Sequence, residues 1–76
     1  MLLENYLSGY DVADIVEADG GYNYYGFTRP GGSWRVLREN VAGTEYRLAI
    51  GRGNYETNFT NRSSLDYRKS NTLPPL

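Results

Sequence analysis

The strongest pattern along the chain is alternation. From Glu45 to Ile50 the large apolar residues Tyr46, Leu48 and Ile50 share one side, and from Ser33 to Glu39 Trp34 and Val36 oppose Arg35 and Leu37. A period of two predicts strands in both places, with Tyr46, Leu48 and Ile50 inward. The intervening Glu39-Asn40-Val41-Ala42-Gly43-Thr44 is a hairpin connection in which Asn and Gly can supply positive φ. Tyr22 to Thr28 sets Tyr22 and Tyr24 on one face and Tyr25 and Phe27 on the other, a strand with aromatics on both sides. Val12 to Ala18 is mixed: Val12, Ala13, Ile15, Val16 and Ala18 fit a first strand or a helical turn. Gly9, Gly20-Gly21, Pro30-Gly31-Gly32, Gly43, and Gly51 with Gly53 punctuate these runs at intervals of about ten residues, the turn spacing of an all-β domain.

After Ile50 the period changes. Tyr55, Phe59 and Arg62 are spaced by four and three, one side of a short helix, with Asn54 as N-cap and Glu56 in the first turn. Leu65 and Tyr67 then alternate as a final short strand. The order of four strands, short helix and strand matches a small SH3-like barrel or β-meander, with an open sheet carrying a helix across one end as the alternative. The predicted core is Phe27, Trp34, Val36, Tyr46, Leu48, Ile50, Phe59, Leu65 and Tyr67. The predicted organisation is an N-terminal arm (residues 1–11), a β-domain (12–67) and a C-terminal arm (68–76), where Pro74-Pro75 cannot extend a ladder.

Size sharpens the functional reading. With 76 residues the chain has room for one core, and a domain of this size buries only about 60% of its unfolded surface. No Cys and no His are present, so disulfides are impossible and zinc lacks its two commonest ligands. Partner contacts are the remaining means of stabilisation, so a homo-oligomer or a multi-copy assembly is expected. Eight basic against nine acidic residues give a net charge of −1, which provides no field for nucleic acid or anionic membrane. Tyr occurs eight times, and every cation except Lys69 is Arg; both types are enriched in protein interfaces. Tyr22, Tyr24, Tyr25, Arg29, Arg35 and Arg38 are therefore the candidate protein-binding residues. The start of the chain does not resemble a signal peptide, and no apolar run reaches membrane-spanning length, so synthesis in the cytosol is expected.

The chemistry that needs His or Cys is excluded, including the Ser-His-Asp triad, and no enzyme activity or cofactor is expected. Gly51-Arg52-Gly53-Asn54 lacks the Gly-Lys-Ser/Thr of a phosphate-binding loop and reads as a turn with an N-cap. Asp11, Asp14, Glu17 and Asp19 lack the spacing of a calcium loop and read as a solvated face. The aromatic strands could stack bases, against which the negative net charge stands. Arg62 is open between a surface cation and a tie from the helix to the sheet.

The segment from Asn54 to Tyr67, with Asn61, Arg62, Leu65 and Tyr67, resembles the closing segment of small proteins of tailed bacteriophages, and Tyr24-Tyr25-Gly26-Phe27, a Pro-Gly turn and Ser33-Trp34-Arg35-Val36 add to the likeness. Tyr55, Thr57, Asn58 and Phe59 depart from that pattern, Phe59 standing where Trp is usual. The resemblance covers about residues 20 to 67. It implies a virion component of capsid, neck or tail that binds other phage structural proteins; a regulator that binds a host protein, or a single-strand binder, is the alternative.

Overall fold

The chain reverses between its first two strands through Gly20 and Gly21 alone, at φ 60° and 87°. Two consecutive positive φ values match the right-handed twist of the flanking strands, and glycine adopts them without a Cβ clash. The computed structural model describes residues 6–69 and Thr72. Its elements are β1 (Asp11–Asp19), β2 (Tyr22–Thr28), β3 (Ser33–Asn40), β4 (Tyr46–Arg52), helix α1 (Tyr55–Thr60) and a 3-10 turn (Arg62–Ser64). The fold is all-β: one antiparallel sheet in the order β1-β2-β3-β4. The three expected later strands and the short helix are present. The β3–β4 connection works differently from expectation at Asn40, which has no positive φ. Its Oδ1 instead accepts from the backbone N–H of Thr44 (2.8 Å) and Glu45 (3.0 Å).

The ambiguous Val12–Ala18 segment is a strand. Its register against β2 shifts between Val12 and Asp14 and again between Val16 and Asp19. Each extra residue breaks the period of two, so Val12 and Ile15 fall on the same face although they are three apart. That is why the alternation was unreadable there.

The closing segment also departs from the SH3-like expectation. Leu48 and Arg68 exchange backbone hydrogen bonds of 2.9 and 3.0 Å, which places Arg68 beside β4. Among the described residues no ladder joins β1 to the last segment, so the sheet stays an open meander with a helix across one face. Tyr10 and Arg68, which fall in the predicted arms, contact the sheet through Ser33 and Leu48. Residues 1–5, 70, 71 and 73–76 of the predicted arms lie outside the described residues.

The registers Gly26↔Val36↔Ala49 and Thr28↔Trp34↔Gly51 define the face that α1 covers. Tyr24, Trp34, Val36, Ala49 and Phe59 are buried there, flanked by Val16, Tyr22, Tyr55, Leu65 and Tyr67. Burying each large side chain contributes about 1.5–3 kcal/mol. Tyr55 and Phe59, four apart on α1, stack at 5.6 Å between ring centroids. Asn54 precedes the helix at φ 53° but makes no side-chain cap; its carbonyl accepts from Asn58 Nδ2 at 2.9 Å instead.

The inward face of β4 is the opposite of the predicted one. Ala49 and Gly51 face the helix, while Tyr46, Leu48 and Ile50 lie on the other side of the sheet. The cause is Trp34, whose indole lies where any Cβ at residue 51 would sit, and whose Nε1 donates to Gly53 O at 2.8 Å. Leu48 is nevertheless fully buried, Phe27 and Ile50 are half-buried, and Tyr46 is 41% exposed and so is not core. Gly26 is the second gap of this kind, filled by the Tyr55 hydroxyl and the Phe59 ring.

Gly51→Ala should therefore destabilise the fold by about 1–3 kcal/mol, the usual cost of overpacking, and Gly26→Ala should do the same. Urea unfolding followed by Trp34 fluorescence reads both. Unchanged midpoints would show that the indole and the Tyr55 ring can relocate freely.

Candidate functional site

Because β-turn positions bring strand ends together, Arg29 and Arg35 both reach Tyr10. Their guanidinium carbons lie 4.8 and 4.7 Å from its ring centroid, within cation–π range. The Tyr10 hydroxyl shares a hydrogen bond with Ser33 Oγ, and Ser33 is buried. Arg35 Nη1 donates to Ser33 Oγ (3.3 Å) and to Trp34 O (3.1 Å). Neither arginine has a carboxylate partner among the described residues, where the ion pairs are Arg47–Glu45, Arg62–Asp19 and Arg68–Asp66. These two predicted interface residues are thus held on one aromatic ring with no ion pair among the described residues.

A second stack has a different character. Arg38 lies 4.4 Å from both the Tyr22 and the Tyr67 centroids, so its guanidinium is enclosed between rings. Its Nε and the Tyr67 hydroxyl are buried without hydrogen-bond partners among the described residues. Tyr22 and Arg38 are both half-buried. Tyr24, also predicted to bind partners, is 3% exposed and belongs to the core. Alternation placed it correctly on the face of Tyr22, but only the helix after β4 determines which face closes.

Tyr25 lies on the other side of the sheet and donates to Glu39 Oε1 at 3.1 Å, beside Asn23 Nδ2 at 3.2 Å. Hydrogen bonds from Tyr46, Asn23 and Tyr25 hold the Glu39 carboxyl below the usual carboxylate range. Burial and the bond to Glu39 push the Tyr25 hydroxyl up. Burial likewise raises Tyr24, Tyr55 and Tyr67, Tyr55 also through its hydrogen bond to Asp14. These hydroxyls stay protonated at neutral pH and can donate hydrogen bonds.

Arg62 is resolved as a structural tie. Its Nη2 lies 3.0 Å from Asp19 Oδ2, its Nη1 donates to Phe59 O at 3.0 Å, and its guanidinium sits 5.0 Å from the Phe59 centroid. It therefore joins the end of α1 to the end of β1. Tyr55 makes a parallel link, its hydroxyl donating to Asp14 Oδ2 at 2.8 Å. No group of three or more acidic residues that could hold a metal ion occurs among the described residues.

Sequence reasoning missed the surface of β1. Its outer edge has no ladder partner among the described residues, and Val12 and Ile15 are 57% and 58% exposed. It also missed Tyr10, which was assigned to an arm, and Arg52, which lines a cleft with Arg29 and Arg35. A shallow groove of about 280 Å³ on the β4 side is lined by Trp34, Leu48, Ile50 and Leu65 with Asp66 and Arg68. No family model, curated protein or solved structure matches the chain.

Two outcomes are expected from these contacts. Arg62→Gln should cost about 1–2 kcal/mol, the range for charge-assisted hydrogen bonds that are partly buried, read as a lowered thermal midpoint. A midpoint equal to the parent would place the tie elsewhere. The raised tyrosines contribute stability that is complete below their unfolded value of 10.0 and lost as pH rises above it. Absorbance at 295 nm during alkaline titration should show some of the eight tyrosines ionising only as the sheet unfolds. Ionisation of all eight before any loss of the circular-dichroism signal would contradict these environments.

Proposed function

We propose that the protein is a small structural component of a bacteriophage particle, acting by binding other structural proteins in a repeated assembly. The observation that carries this is the edge strand β1. Nine residues of strand present an outer edge with no ladder partner among the described residues, together with exposed Val12 and Ile15, on a chain without cysteine to staple its thin core. Strand edges are templates for pairing, and isolated β-proteins protect them. Here the protection is partial: two bulges and the carboxylates of Asp11, Asp14 and Glu17 discourage a second identical edge, because two such strands would bring like charges together, Asp19 being paired with Arg62. A different partner surface is favoured, which agrees with a component placed among larger proteins. The resemblance of residues 54–67 to phage proteins supports the same reading.

The test is mass spectrometry of purified particles from the source phage, with peptide abundance scaled to the major capsid protein. A fixed ratio is expected. Abundance in infected cells together with absence from particles would overturn the structural role and favour a host-directed binder. In a positive case, Val12→Lys with Ile15→Lys should lower incorporation at least tenfold without lowering the thermal midpoint, because both side chains are already exposed.

A further inference from the structure

At the Tyr10 end of the sheet, Arg29, Arg35 and Arg52 surround an open cleft of about 290 Å³ whose remaining lining is Ser33, Ile50 and Gly51. Three guanidinium groups at one cleft repel one another, and none has a carboxylate partner among the described residues. Such an arrangement costs free energy in the isolated chain that an anion would recover. The support is built rather than incidental. Tyr10, fixed through the buried Ser33, carries Arg29 and Arg35 on its ring, and Arg35 is further held by Trp34 O. Arg35 Nη1 is engaged by Ser33 Oγ and Trp34 O, and its Nε is buried without an acceptor among the described residues, so the guanidinium is held in one orientation with its Nη2 making no hydrogen bond among them.

We infer that this cleft is a binding site for carboxylates of an acidic segment of a partner protein, received by Arg29, Arg35 and Arg52. Guanidinium groups match carboxylate geometry with paired N–H donors, and rings beneath them reduce the entropy lost on binding. A carboxylate-bearing segment fits better than nucleic acid. The net charge is −1, and β1, which begins at Asp11 directly after Tyr10, carries Asp11, Asp14 and Glu17 with no ion pair among the described residues, Asp19 alone being paired, with Arg62. A long polyanion leaving the cleft on that side meets like charge, whereas a short acidic segment need not extend so far. This inference rests on the protein-binding reading only in taking the ligand from a partner protein. It is tested on the isolated chain, so its failure is distinguishable from absence of the chain from particles.

The experiment is a ¹⁵N NMR titration at low salt with blocked hexaglutamate, with hexaglutamine, inorganic phosphate and an eight-residue oligothymidylate in separate arms. Hexaglutamate should shift the signals of Arg29, Ser33, Arg35 and Arg52 and bind at least tenfold more tightly than any other probe. Raised salt should weaken it. Arg35→Gln combined with Arg52→Gln should reduce that affinity at least tenfold. Arg47→Gln, which removes a cation paired with Glu45, should leave it within twofold. Retained affinity in the double variant, with its spectrum showing the sheet intact, would overturn the site. Tighter binding of the oligonucleotide, or phosphate binding as tightly as the peptide, would overturn the assignment to a protein carboxylate.

Discussion

The indole of Trp34 can lie across β4 because residue 51 has no side chain, and the layout of the covered face follows from that accommodation. With the ring over Gly51 and its N–H bonded to Gly53, the chain leaves β4 already directed over the sheet. Tyr55 and Phe59 then descend onto Gly26, the other position where a strand offers backbone instead of a side chain. Two absent side chains thus admit three aromatic rings. Close packing makes the arrangement selective, since a void or an extra methyl at either position is felt by the rings above it.

Much of the sheet was legible because its signals are local. Alternation over Tyr22–Thr28, Ser33–Glu39 and Glu45–Ile50 and the glycines between them depend on neighbours a few residues away. What was not legible depends on distance. Arg62 meets Asp19 across 43 positions, so no window of sequence distinguishes a tie from a surface cation. The face of β4 that closes depends on the size of Trp34 on the adjacent strand, and counting apolar residues selected Tyr46, Leu48 and Ile50 in place of Ala49 and Gly51. In β1 the difficulty was local, because its bulges destroy the period that identifies a strand. Of the candidate site, Arg29 and Arg35 were found from composition, whereas Tyr10 and Arg52 join them only through the fold.

The arginines divide by what surrounds them. Arg62 is tied to Asp19, Arg38 lies between two tyrosine rings, and Arg29, Arg35 and Arg52 meet no carboxylate among the described residues. Asp11, Asp14 and Glu17 of β1 form the opposing pole along one edge. A nearly neutral total therefore conceals a polar molecule, with negative charge along one strand and positive charge gathered at one end of the sheet. For such a chain, net charge describes its interactions less well than the separation of its charges does.

The strand order β1-β2-β3-β4 also bears on how the molecule is assembled from its chain. Every ladder joins sequence neighbours, so each hairpin closes a short loop at small entropic cost. The contacts from α1 and Arg62 back to β1 are the reverse: they close loops of 41 and 43 residues. A ribosome delivering this chain releases the whole sheet before it releases the segment that covers it. For that interval the Trp34 face lacks Tyr55, Phe59, Leu65 and Tyr67, and the segment that carries them acts as the cover that ends its exposure.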